Sequence, residues 1–177
     1  MTINNIIVAA LLQLDRGQEA QTIEIWQEKF MFFANEAVLD IAQHLGLKRQ
    51  DVVTVENGKA PIPDNCMKIL KLEREGKILP FLLSDAEGSV KVNAADGEVH
   101  ITYHYAPKKL TNLSETPELP EYTHGLIVDY VVGRERATQD PSMQRGANVF
   151  FEIYNEGKRK LKRNMGEPDS YKIYNRW

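Results

Sequence analysis

Cysteine is almost absent from this chain of 177 residues. Cys66 stands alone, which excludes an internal disulfide and any metal site built from several thiolates. Its simplest role is that of a small apolar filler. Long apolar runs are missing too, and no stretch approaches the ~20 residues that a membrane-spanning helix needs. The opening segment MTINNIIVAALLQLDRGQ has a short apolar core with no basic residue ahead of it. Asp15-Arg16 then interrupts any cleavage context, so it does not read as a secretion signal. Catalytic signatures are lacking as well: there is no P-loop, GxGxxG, GxSxG or HExxH. His44, His100, His104 and His124 are scattered. His100 and His104 would share a strand face but stand ~13 Å apart, too far to hold one ion. The acid pairs Asp85/Glu87 and Asp96/Glu98 flank turn glycines, where solvation accounts for them. No metal, cofactor or catalytic set is expected, and no enzymatic activity.

What the chain does have is the balance of an ordinary folded protein, 42% apolar and 27% charged. Its charge is unevenly placed. From Gly157 to Trp177 seven Lys and Arg face only Glu167 and Asp169, a local +5 in a chain whose total is −3, which leaves −8 elsewhere. Such an asymmetry points to an acidic partner or nucleic acid at one end, or to a solvated basic helix face.

Three regions differ in texture. Thr2 to Leu14 carries an apolar stripe (Ile3, Ile6, Ile7, Ala10, Leu11, Leu14) at helical spacing. Asp15-Arg16-Gly17 should turn the chain, with Gly17 free to take the left-handed conformation. A long helix follows from about Glu19 to Leu45, with Ala20, Ile23, Trp26, Phe30, Phe33, Ala37, Ile41 and Leu45 on one face and Gly46 as its cap. The aromatic band Trp26–Phe33 reads as core before it reads as a pocket.

From Lys48 to Tyr105 the pattern is that of strands. Val52–Val55, Met67–Glu73, Ile78–Leu83, Val90–Val92 and Val99–Tyr105 are separated by Gly- and Asp-rich turns, of which Glu56-Asn57-Gly58-Lys59 is the clearest hairpin signal. Pro61 and Pro63 confine their segment to a sheet edge. An antiparallel meander is expected. Ile101, Tyr103 and Tyr105 alternate with Thr102 and His104 on its last strand, and Ala106-Pro107 ends it.

Lys108 to Glu118 has no apolar period and should cross the surface as a connector. Pro120 then sits at a helix start, with Glu118 and Glu121 beside it and Tyr122, Leu126, Tyr130 and Gly133 at helical spacing. Asp140-Pro141 opens a further helix with Met143, Ala147, Phe150, Phe151, Tyr154 and Leu161 on its apolar face and Lys158 to Arg163 in its last turns. The two should form an antiparallel hairpin, stopped by Gly166 and Pro168. The fold class expected is α+β: mainly a helical bundle from 1–46 and 119–166, a small antiparallel β insert with its connector over 47–118, and an extended tail over 167–177. That tail holds Tyr171, Lys172, Ile173, Tyr174, Arg176 and Trp177, the residue types of binding hot spots rather than of a solvated end.

The run Thr102-Tyr103-His104-Tyr105-Ala106-Pro107, the helix entry Leu119-Pro120-Glu121-Tyr122, the Arg134-Glu135-Arg136 stretch and the turn Gln139-Asp140-Pro141 resemble the head–tail connector (adaptor, or head-completion) proteins of tailed bacteriophages. The upstream layout fits as well. The resemblance implies a virion protein of the neck, assembled in the host cytoplasm. It would form a homo-oligomeric ring, a dodecamer in the usual case, beneath the portal protein. The ring would extend the channel through which genomic DNA passes without sequence-specific binding, and offer a platform to a tail or nozzle protein. In that family the C-terminal extension commonly contacts the portal, which makes Tyr171, Lys172, Ile173, Tyr174, Arg176 and Trp177 the expected portal-binding residues. The charge asymmetry makes Lys158, Arg159, Lys160, Lys162 and Arg163 a candidate basic partner-facing helix. A different reading makes the chain a nucleic-acid-binding regulator that uses Lys158–Arg163 on phosphate, opposed by the acidic remainder. A third makes it a small-molecule-binding domain with the Trp26–Phe33 band as its pocket.

Overall fold

A computed structural model of the chain describes residues 1–83, 88–138 and 141–164, with the side chains of 141–146 and 162–164 outside that description. The chain divides into a helical unit, Met1–Leu45 with the segment from Leu110 onward, and a sheet unit, Gly46–Lys109. Both helix and strand take large shares, so the class is mixed α and β with two antiparallel sheets rather than a helical bundle with a minor insert.

The helical unit begins with α1 (Ile3–Gln13), capped by Thr2, whose Oγ1 accepts from the Asn5 amide. Ile3, Ile6, Ile7, Ala10 and Leu11 are buried, as the stripe predicts. The turn after it differs from expectation. Asp15, not Gly17, takes the positive φ of 55°, a conformation Asp tolerates better than most residues. Helix α2 (Ala20–Leu45) buries Phe30, Phe33, Ala34, Ala37, Val38, Ile41 and Ala42, and Gly46 ends it at φ 61°.

Helix α3 (His124–Ala137) follows a single 3₁₀ turn, Glu121–Thr123, in which Thr123 Oγ1 donates to the Pro120 carbonyl at 2.7 Å. Pro120 therefore stands just outside the helix rather than in its first turn. Its main buried face is Ile127, Val128, Val131 and Val132, where the Tyr122, Leu126, Tyr130, Gly133 stripe was expected to lie. Tyr122 is exposed, while Tyr130 stacks on Phe151 and Tyr154 of α4 (Pro141–Asn164). Both stripes are apolar because α3 is the central helix, touching α1, α2 and α4. The α3–α4 pair forms as the sequence predicts.

The connector laces this unit together instead of merely crossing its surface. Asn35 of α2 clamps Leu110 from both sides, Oδ1 accepting from its amide at 2.8 Å and Nδ2 donating to its carbonyl at 3.0 Å. The carbonyls of Glu115 and Leu113 accept from the Ile3 and Asn4 amides at 2.8 and 2.9 Å. Those amides are at the start of α1, where no intrahelical partner exists.

The sheet unit holds β1 (Lys48–Val55), β2 (Lys59–Pro61), β3 (Cys66–Arg74), β4 (Lys77–Leu79), β5 (Phe81–Leu83), β6 (Ser89–Val92) and β7 (Gly97–Tyr105). They form two antiparallel sheets, ordered β1-β7-β3-β4 and β2-β6-β5, not one sequential meander. Pro80 is the reason at one point. It splits the expected Ile78–Leu83 strand in two, and the halves join different sheets. The Asn57-Gly58 turn has φ 51° and 69°, the mirror-image turn its sequence predicts, and β2 lies at a sheet edge as its prolines require. Val55, Ala60, Leu72, Val90, Val92, Val99, Ile101 and Tyr103 make one buried cluster drawn from both sheets.

Candidate interaction site

The Arg134-Glu135-Arg136 stretch lies inside the helical unit. Glu135 is 1% exposed, and its carboxylate takes Arg16 Nη2 at 3.0 Å and Lys29 Nζ at 2.6 Å. Arg16 in turn lies over the Trp26 ring, 3.7 Å from its centroid. Arg134 pairs with Glu36 at 3.2 Å, and Arg136 Nη2 donates to the Gln13 carbonyl at 3.2 Å. The three charges thus tie α3 to α1, to α2 and to the turn between them. Trp26 and Phe30 stack at 5.4 Å, and Phe30 and Phe33 are buried while Trp26 is partly exposed, so the aromatic band packs into the core at its inner end.

A second polar cluster fixes α4 on α2. Asp40 accepts from the Tyr154 hydroxyl and from Lys158 Nζ, the latter at 2.6 Å. Burial alone would push the Asp40 carboxyl up, but these two bonds outweigh it and leave it below the usual carboxylate range. Burial, then the Asp40 charge, raise the Tyr154 phenol far above its ordinary value, so it remains a donor. Asp40→Ala is expected to cost about 1–2 kcal/mol, because a buried hydroxyl and a half-buried ammonium lose their acceptor. A depressed carboxylate stabilises the fold above its unfolded pKa, so this contribution is lost as pH falls through the lower, folded value. Urea titrations at neutral pH and near pH 3 check both statements: the gap between wild type and variant should narrow in acid.

This cluster bears on the basic helix. Lys158 is bound to Asp40, and its side chain is only 18% exposed. Arg159 and Lys160 are exposed and, among the described residues, pair only with Glu156, one turn away on the same helix. The side chains of Lys162 and Arg163 lie outside the described residues, as does the whole segment Tyr171, Lys172, Ile173, Tyr174, Arg176 and Trp177. His100 is exposed and His104 sits near the Leu47 carbonyl, so the two do not converge. No group of three or more His, Cys, Asp or Glu able to hold a metal occurs among the described residues. Nor is any helix among them long and apolar enough to cross a membrane.

No protein-family model and no curated protein matches the chain.

The surface holds a further feature, not marked by any sequence motif. Ile25, Phe32 and Leu39 of α2 are 69%, 57% and 42% exposed and recur every seven residues, so they form one outward stripe about 21 Å long. Glu24 and Glu28 are exposed along its N-terminal half, while Lys29 is withdrawn to Glu135. The outward side of α4 carries exposed Val149 and Ile153, followed by Arg159 and Lys160. The seven-residue spacing is visible in the sequence, but α2 is apolar on two sides and the buried stripe is the stronger signal. In the sheet unit Ile78, Leu82 and Leu83 are also exposed, on edge strands.

Proposed function

We propose that this chain is a structural virion protein of a tailed phage, forming a ring beneath the portal that joins head to tail and extends the DNA channel. The observation that carries the reading is the constellation Thr102–Pro107, Leu119–Tyr122, Arg134–Arg136 and Gln139–Pro141, which links a strand, a connector and two helices in the manner of connector proteins. Two features support it. A sheet unit is inserted into the chain of a helical unit, between Leu45 and Leu110, and helices α2 and α4 of the helical unit present exposed apolar side chains among the described residues. Its work is docking and assembly, not turnover. The alternative of a nucleic-acid-binding regulator loses Lys158 from its phosphate-contacting set, because Asp40 holds that ammonium.

In this reading Tyr171 to Trp177 grips the portal, with aromatic side chains buried and Arg176 paired with carboxylates. Mixing the cognate portal with the intact chain and with a chain ended after Asp169 tests it. The truncation is expected to weaken binding at least tenfold. Equal binding by both would remove the tail from the contact, and no binding by either would remove the connector reading. Salt-dependent affinity of the isolated protein for duplex DNA would favour the regulator instead.

A further inference from the structure

We infer that the outward stripe of α2 is one half of a head-to-tail contact between copies of this chain, and that the outward face of α4 in the next copy is the other half. It rests on the connector reading only for closure of the copies into a ring.

Charge disfavours a twofold pairing of this stripe. Two α2 stripes could pair around a twofold axis, but each brings Glu24 and Glu28 and neither brings an available cation, since Lys29 is bound to Glu135. The exposed side of α4 carries the missing cations, Arg159 and Lys160, beside Glu152 and Glu156. Among the described residues Arg159 and Lys160 are held only by exposed one-turn pairs with Glu156, which are weak and readily exchanged.

Spacing agrees with charge. With the two helices antiparallel and Phe32 set against Ile153, Leu39 lies toward Val149. Ile25, seven residues before Phe32, then lies beside Lys160, seven residues after Ile153. The same register places Glu24 and Glu28 opposite Arg159 and Lys160. A seven-residue spacing drifts only about 20° per repeat around a straight helix, so Ile25, Phe32 and Leu39 stay on one side of α2 over this length. Each copy carries both faces, on different helices, so the contact is heterologous and propagates around a ring rather than ending at a dimer.

Its size sets its strength. A stripe about 21 Å long and ~10 Å wide covers roughly 200 Å², against the ~800 Å² per partner of a standard interface. Isolated pairs should be weak and short-lived, so the test uses covalent capture.

In a Cys66→Ser background, copies carrying Phe32→Cys are mixed with copies carrying Ile153→Cys and a size tag, then treated with a short bismaleimide. The mixture is expected to yield at least tenfold more cross-linked dimer than either copy alone. Glu24→Lys with Glu28→Lys in the first copy should lower that yield severalfold, and Arg159→Glu with Lys160→Glu in the second should restore it. Dimers from the Phe32→Cys copy alone, in equal yield, would mean twofold pairing and overturn the inference. A mixture no better than background, or charge exchange without recovery, would overturn it as well. Portal binding by the wild-type chain is measured in parallel. Failed capture with intact portal binding would discard these faces and leave the connector reading standing, and the reverse result would do the opposite.

Discussion

Replacing Glu135 with Ala is expected to destabilise the helical unit by about 3 kcal/mol, the low end of the cost of breaking a buried ion pair. The carboxylate is sealed inside α3's contact with its neighbours, and it is the shared acceptor for two cations that arrive from different places. Arg16 comes from the turn after α1 and Lys29 from α2. Removing it leaves a guanidinium pinned over Trp26 and an ammonium near Thr138 Oγ1, both short of an anion and partly cut off from water. The cost stays at the low end because both cations keep some access to solvent, with side chains 23% and 40% exposed. Glu135→Gln keeps the shape and loses the charge, so a loss of about 1–2 kcal/mol is expected. Adding Arg16→Met and Lys29→Met to Glu135→Ala should recover part of the stability, since the three groups act as one. Urea midpoints for the set decide it. A Glu135→Ala loss below about 0.5 kcal/mol would show that the cluster is a solvated surface group after all.

Glu135 marks the limit of what could be read in the sequence. Between two arginines, on a helix with several charged neighbours, it looks like an exposed residue. Nothing local announces that its partners lie more than a hundred positions earlier. Lys158 was hidden in the same way: it stands in a basic stretch interrupted only by Leu161, and only the fold shows that Asp40 binds it. Elements set by short-range chemistry were legible. The α2 stripe, the Asn57-Gly58 turn, the alternation of β7 and the α3–α4 pair all follow from periods of two or 3.6 and from turn residues. The order of strands did not follow, because hydrophobic alternation tells which side of a strand is buried and not which strand lies beside it. The expected meander was a default to sequential pairing, whereas β7 is flanked by β1 and β3. The stripe of Ile25, Phe32 and Leu39 was hidden differently. Its spacing is plain, but exposure is a property of what surrounds a helix.

Tyr103 joins the two kinds of knowledge, and its replacement by Ala is expected to cost the sheet unit about 4 kcal/mol. Alternation along β7 places the ring inward, and it is fully buried among Val99, Ile101 and Leu72. Truncation would empty that site between strands whose backbone pairing allows little collapse. What alternation could not supply is the hydroxyl's surroundings. Asp51 Oδ2 lies 2.5 Å from the phenol oxygen and Asn65 lies 3.1 Å away on the other side. One hydroxyl has one proton, so it donates to Asp51, and the Asn65 amide is best turned to donate to the phenol.

Tyr103→Phe should therefore cost only about 1 kcal/mol near neutral pH, since the ring stays and half-buried Asp51 keeps contact with water. The two variants separate packing from hydrogen bonding. Alkaline pH separates them again. Burial, and then the Asp51 carboxylate, push the phenol up to about 12. A group raised above its unfolded value stabilises the fold fully below that unfolded value, near 10, and the contribution fades as pH rises toward the folded one. The stability gap between wild type and Tyr103→Phe should accordingly hold steady from neutral pH to about 9 and narrow between about 10 and 12. Amide-exchange protection of β7 at pH 9 and pH 11 would measure it within the sheet unit alone. A gap that widened with pH would mean that the hydroxyl ionises more easily in the fold than in the open chain, and the Asp51 contact would have to be abandoned.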